Sequence, residues 1–265
     1  MNTSTLALRS AIAFLFSACL LAGCGGTKVL KESQPIQTTK PLAVTSDQQV
    51  SATLDWVIVR DGPGTWAKNA DWDEYLVRVN NQSAQSIQVT RLLVVDSLGT
   101  RIESQPGRKQ LVKSSKKTAK RYKKSGVKVK AGMGVGGLLA SGAAVTVAGV
   151  GVGLATMGPI LGGASAGAGA GIAVGGLLLL GPALAVGGVV RGVNNSKVNN
   201  QIELRQTVLP LEIPAGDAFA LDVFFPLAPS PKTVELVYTD ATGEHNLVID
   251  TRAALDGLHI DAPED

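Results

Sequence analysis

The sequence predicts a mainly β sandwich interrupted by an apolar α-helical hairpin, α+β overall, and three observations carry that reading. Two zones, residues 50–105 and 200–251, hold short runs that alternate apolar and polar residues between turn signals, at hairpin spacing. Between them, residues 131–190 contain no charged and no aromatic residue. Neither β zone suffices alone: each supplies about four strands with one apolar face, and such a face needs a cover. One sandwich built from both halves, with the middle inserted in a loop, is the simplest arrangement.

Taken in order, residues 1–23 have the layout of a signal peptide. Arg9 is the only charge, Ala11–Leu21 is apolar, and small residues follow. That core is too short for a bilayer span, which needs about 20 apolar residues. The sequence Leu21-Ala22-Gly23-Cys24 resembles the bacterial lipobox. The resemblance implies that Cys24 receives the lipid and becomes the first mature residue, and Gly25 in place of Asp implies sorting to the outer membrane, lipid-anchored and periplasm-facing. Cys19 leaves with the signal, so the mature chain would hold no free thiol and no disulfide. Residues 24–49 are polar, contain Pro35 and Pro41, and lack apolar periodicity. They predict a flexible tether with a reach of roughly 25–30 Å.

The first β zone begins with VSATLDWVIVR, where Leu54, Trp56 and Ile58 alternate with polar or smaller neighbours. EYLVRVNN and SIQVTRLLVVD follow, separated by Asn80-Asn81-Gln82-Ser83, and Asp96-Ser97-Leu98-Gly99 predicts a hairpin turn. The second zone runs IELRQTVLPLEI, the turn Pro214-Ala215-Gly216-Asp217, then FALDVFF, TVELVYTD and HNLVID. Seven or eight short strands in this pattern predict a sandwich. Leu209-Pro210-Leu211-Glu212-Ile213-Pro214-Ala215-Gly216, followed by Phe224-Phe225-Pro226, resembles immunoglobulin-like domains of bacterial envelope lipoproteins. The matching motifs are mostly turn chemistry, so the resemblance implies a fold and transfers no functional residue. Residues 252–265 close the chain as an acidic tail.

The inserted zone, 131–190, has 19 Gly and 13 Ala in 60 residues. Glycine in a helix costs about 0.8–1 kcal/mol relative to alanine, so its spacing needs a reason. Gly163, Gly167, Gly171 and Gly175 recur every four residues, as do Gly132, Gly136, Ala140, Ala144 and Ala148. On a helix each set forms a smooth ridge where a second backbone approaches closely, the glycine-zipper pattern that drives association in lipid. Gly158-Pro159 marks a turn, giving a hairpin whose two helices are each long enough for a tilted span. A soluble hairpin packed on the sandwich, a Gly-rich linker and a silk-like stack of Ser165–Gly171 are the competing forms. In layout the chain is similar to glycine-zipper envelope lipoproteins and to surface-exclusion lipoproteins of conjugative plasmids.

Residues 106–130 predict a basic arm. Positions 108–130 hold eleven of the 25 Lys and Arg and no acid, leaving 14 to face all 21 acids elsewhere. In an exported protein such a run implies anionic lipid or an envelope polymer as partner, with no nucleic acid. Lys116, Lys117, Lys120, Arg121, Lys123 and Lys124 are the expected anionic-surface residues. Inner-membrane insertion from outside would violate the positive-inside bias, which again favours the outer membrane.

Catalytic machinery is not legible. His245 sits in an expected hairpin and His259 in the tail, both expected at the surface. Asp71, Asp73 and Glu74 read as a solvated loop rather than a metal site, and no cofactor motif is present. Trp56 reads as core. Trp66 and Trp72 lie in a turn-rich stretch, where packing on the sandwich end competes with stacking on a sugar or partner. The expectation is a non-enzymatic, homo-oligomeric envelope lipoprotein that meets the bilayer through its acyl group and its apolar hairpin. The alternatives are a pore-forming or membrane-disrupting effector and a binding module for anionic envelope polymers.

Overall fold

A computed structural model describes residues 27–32, 40–135 and 191–261. The architecture is mainly β, with two antiparallel sheets face to face. One sheet has four strands in the order β2 (Ala43–Ser46), β3 (Val50–Ile58), β5 (Trp72–Asn81), β9 (Ala218–Pro226). The other runs β11 (Gly243–Asp250), β10 (Thr233–Asp240), β6 (Ile87–Val95), and the far edge of β6 is shared by β7 (Arg101–Glu103) and β8 (Leu211–Ile213). A two-stranded ribbon joins β1 (Lys28–Val29) to β4 (Ala67–Lys68). Both β zones of the sequence contribute to each large sheet, so neither half could close the core alone.

Period-two alternation builds the core. In β3, Val50, Ala52 and Leu54 point inward while Ser51, Thr53 and Asp55 do not. A bulge between Leu54 and Trp56 shifts the register against β5. Inward residues of the facing sheet, among them Leu92, Val94, Leu236 and Ile249, complete the same cluster. Tyr75 and Phe225 meet edge to face at 5.0 Å. Fully burying side chains of this size contributes about 1.5–3 kcal/mol each.

The tight turns follow the sequence. Asp96 accepts from the Leu98 and Thr100 amides through Oδ1, and Gly99 takes φ 78°, which closes the hairpin between β6 and β7. Asn81, fully buried, ties the two halves together. Its Nδ2 donates to the carbonyls of Gln85, Ile213 and Pro214, and the Ser83 amide donates to its Oδ1.

Two helices cover the outer face of the four-stranded sheet at one end. They are α1 (Arg108–Lys124) and α2 (Arg191–Arg205). Adjacent aromatics on β9 show the division of labour: Phe225 enters the sandwich core, while Phe224 points out beneath the helices. There Phe224 joins Trp66, Trp72, Leu111, Val198 and Ile202 in a second, smaller core.

Several expectations are corrected. Residues 24–49 are not a free tether in their described parts, because Thr27 is buried, β1 pairs with β4, and β2 is the edge of a large sheet. Its sparse apolar residues were too few to show a period, yet Val29 and Leu42 find cover. The basic arm is a helix with a buried side. The stretch IELR, read as strand, is the last turn of α2: Val198 and Ile202, one helical turn apart, are both fully buried, while Leu204 is exposed. The acidic tail packs too, with Leu255, Leu258 and His259 fully buried.

The inserted hairpin lies almost wholly outside the described residues, including Gly136, Gly163, Gly167, Gly171 and Gly175, as does Cys24. Its described beginning is not helical. Gly132 and Gly134 have φ 120° and 65°, so Gly132 is a turn residue and not part of a helix ridge. No helix among the described residues is long and apolar enough to cross a membrane.

Candidate functional site

The helix-covered end of the sandwich gathers the charged and aromatic residues that the sequence singled out. Helix α1 forms because Leu111, Ser115, Thr118 and Tyr122 recur at helical spacing and all bury. No acid lies in its first turn and no side chain caps Gly107, so packing rather than local chemistry holds it. Three contacts fix its pose. At the N-terminal end the Arg108 guanidinium donates to Thr27 Oγ1 from Nε at 3.2 Å and Nη2 at 3.1 Å. Midway, Ser115 Oγ donates to the Asp71 carbonyl and accepts the Leu227 amide at 3.0 Å. At the C-terminal end Tyr122 Oη lies 2.8 Å from Ser97 Oγ, and Arg121 pairs with buried Asp96.

With the helix held this way, Lys109, Lys113, Lys116, Lys117, Lys120, Lys123 and Lys124 are all exposed. At about 100° per residue they occupy an arc of roughly 120°, opposite the buried side. None of the seven makes an ion pair among the described residues. Of the six cations expected to face an anionic surface, five belong to this arc. Arg121 does not: it points sideways into the ion pair with Asp96. Each i,i+4 lysine pair along the arc is unfavourable by about 0.2–0.5 kcal/mol, a cost that salt screening or a bound anion reduces.

Beneath α2 lies a second charge cluster. Glu74, 1% exposed, accepts Trp66 Nε1 at 2.6 Å and Arg205 Nε at 2.8 Å. The Arg205 guanidinium also stands 5.4 Å over the Trp66 ring. Burial raises the Glu74 pKa, and Arg205 opposes the rise. Asp222, on the same face of β9, is pushed up to about 6, first by burial and then by the Glu74 charge, with Arg205 again opposing. One guanidinium thus serves two carboxylates. Trp66 and Trp72 are inner residues of the second core and offer no stacking face to a sugar. The cavity between them, Glu74 and Thr65 measures about 10 Å³, room for about one water.

The third cluster joins the chain's end to the edge of the Gly-rich zone. His259 Nε2 lies 2.7 Å from Asp73 Oδ2, and both side chains are fully buried. The expectations that His259 sits at the surface and that Asp73 and Glu74 form a solvated loop are therefore overturned. β5 alternation sends Asp73 inward toward the sandwich and Glu74 outward toward α2. Asp71 alone of the three stays partly exposed, paired with Arg60. Around His259 the backbone is stitched together. Lys130 N donates to His259 O at 3.0 Å, Val135 N to Ile260 O at 2.9 Å, and Asp261 N to Lys128 O at 3.0 Å. This His–Asp pair, buried on both sides, positions the segment. The other histidine, His245, is partly exposed, stacks on Tyr238 at 4.9 Å and bonds Asp240 at 3.0 Å.

No group of His, Cys, Asp and Glu among the described residues could hold a metal ion. Sequence reasoning missed Thr27, Arg108, Arg205 and Asp222. Only Arg108 carried a signal, as part of the basic run; the other three acquire partners through contacts distant in sequence. Compared with known proteins, the chain matches no family model, no curated protein and no solved structure.

Proposed function

We propose that this chain is a non-enzymatic, lipid-anchored envelope protein. In this reading an immunoglobulin-like sandwich, acylated at Cys24 and held at the outer membrane, presents the glycine-rich zone as a hairpin that meets the bilayer and self-assembles. The observation that carries the reading is how firmly the domain holds both flanks of that zone. Before it, Val135 is bonded to Ile260 and the preceding residues to the chain's end; after it, Val198 and Ile202 of α2 are locked into the second core. The 55 residues from 136 to 190 therefore leave from and return to fixed points on a folded body. That body has the character of a mount, and the chemistry of the mounted segment, Gly ridges in apolar sequence, is that of helix association in lipid.

The test separates attachment from assembly. Cys24→Ser should abolish incorporation of labelled palmitate, and normal acylation of that variant refutes the anchor. Gly167→Leu with Gly171→Leu raises apolarity but forces a facing backbone outward. The double variant should stay in the membrane fraction and lose its cross-linked oligomer in detergent. An oligomer that survives refutes assembly through the Gly ridge.

A further inference from the structure

Thr27 is three residues from Cys24, and three extended residues span at most about 10 Å. Because Thr27 is 5% exposed and held by Arg108, a lipid on Cys24 would sit close beside the N-terminal end of α1. A free 25-residue tether would let the domain tumble well away from the membrane; this short link does not. From Arg108 the helix extends about 25 Å at 1.5 Å per residue. Along it Lys109, Lys113, Lys116, Lys117, Lys120, Lys123 and Lys124 form one exposed face with no acid. Arg108 and Arg121, which flank the arc, turn aside to Thr27 and Asp96 and fix the rotation of the helix about its axis.

We propose that this lysine face of α1 is a docking surface for a phosphate-bearing lipid membrane, and that the Thr27–Arg108 contact sets its orientation. The orienting role rests on the acylation reading above, whereas the docking surface itself does not need it. The face is single-signed and about 25 Å long, and it offers only ammonium groups, which act as point charges without the fork geometry that selects one ligand. A plane of anionic headgroups matches that chemistry better than a single small anion does.

The experiment uses the full chain carrying Cys24→Ser, so that acylation plays no part. Sedimentation is measured with vesicles of pure phosphatidylcholine and with vesicles containing one-third phosphatidylglycerol. Binding should be markedly tighter to the anionic vesicles, the difference being the readout because apolar contact contributes equally to both. That difference should shrink as salt shortens the Debye length from about 10 Å at 0.1 M to about 3 Å at 1 M. Replacing Lys116, Lys117 and Lys120 with Gln should weaken binding to the anionic vesicles about 100-fold, from about 1 kcal/mol per surface cation, without lowering the melting temperature. The corresponding Arg triple variant should bind as the parent does. Inorganic phosphate at matched ionic strength should not compete. Equal binding to both vesicle types, or a Gln variant that binds normally, overturns the proposal. Competition by phosphate overturns it in favour of a discrete anion site. A separate acylated sample supplies the orientation readout. There Thr27→Val should leave membrane attachment intact but increase protease access to the lysine face, and unchanged access refutes the orienting role.

Discussion

Removing the charge of Asp222 should stabilise the fold above neutral pH. Asp222 shares Arg205 with Glu74, and its pKa stands at about 6 against the ordinary 3.8. A raised folded-state pKa means the folded protein holds the proton more tightly than the unfolded chain. The corresponding stability is fully present below pH 3.8 and is lost as pH rises through about 6. Roughly two units at 1.36 kcal/mol each give about 3 kcal/mol. The group keeps some solvent contact, which reduces the expected penalty to about 2 kcal/mol. Asp222→Asn keeps the volume and removes the charge. Urea melts of parent and variant should therefore coincide near pH 4 and diverge to about 2 kcal/mol in the variant's favour by pH 8, with unchanged slopes. A variant no more stable than the parent at pH 8 would refute the argument. It would mean that Arg205 compensates both carboxylates in full.

Two further predictions follow from the same end of the molecule. Gly134→Ala should cost about 2 kcal/mol or more in denaturant melts and remove hydrogen-exchange protection at the Lys130 and Val135 amides. An added Cβ would sit 2.7 Å from His259 N and 2.8 Å from Ile260 N, at φ 65°; unchanged protection would show that the 128–135 segment is not held there. Replacing residues 136–190 with a Gly/Ser loop should leave a β-rich domain that melts cooperatively, since loop length costs little. Replacing 107–199 instead strips α1 and most of α2 from Trp66, Trp72 and Phe224, and that product should aggregate; equal behaviour of the two deletions would refute the second core.

Much of the sandwich was legible because its signals are local. Alternation in Val50–Leu54 and the turn residues Asp96–Gly99 and Pro214–Asp217 act over a few positions. The helical period of Leu111, Ser115, Thr118 and Tyr122 was hidden, because two of its four members are hydroxyl residues that bury only with a partner. Ser115 finds the Asp71 carbonyl and the Leu227 amide. The lysine run was plain, yet its sorting into seven exposed cations and two structural arginines was not. Asp73 and His259 lie 186 positions apart, and nothing near either one marks the other.

By itself the sequence determined the mainly β class, the pairing of two β zones around an insertion, and the concentration of basic charge in one run. These follow from period, composition and short motifs, which are properties of neighbours in the chain. Tertiary structure alone decided that Phe224 and Phe225 serve two different cores, and that IELR completes a helix. It also decided that Thr27 is docked beside Arg108 instead of drifting on a tether. Each of these depends on which surface is left uncovered once the sheets have formed. A face of β5 and β9 carrying Trp72, Glu74 and Phe224 must be shielded from water, and the two helices, with Val29 of β1, settle where they shield it.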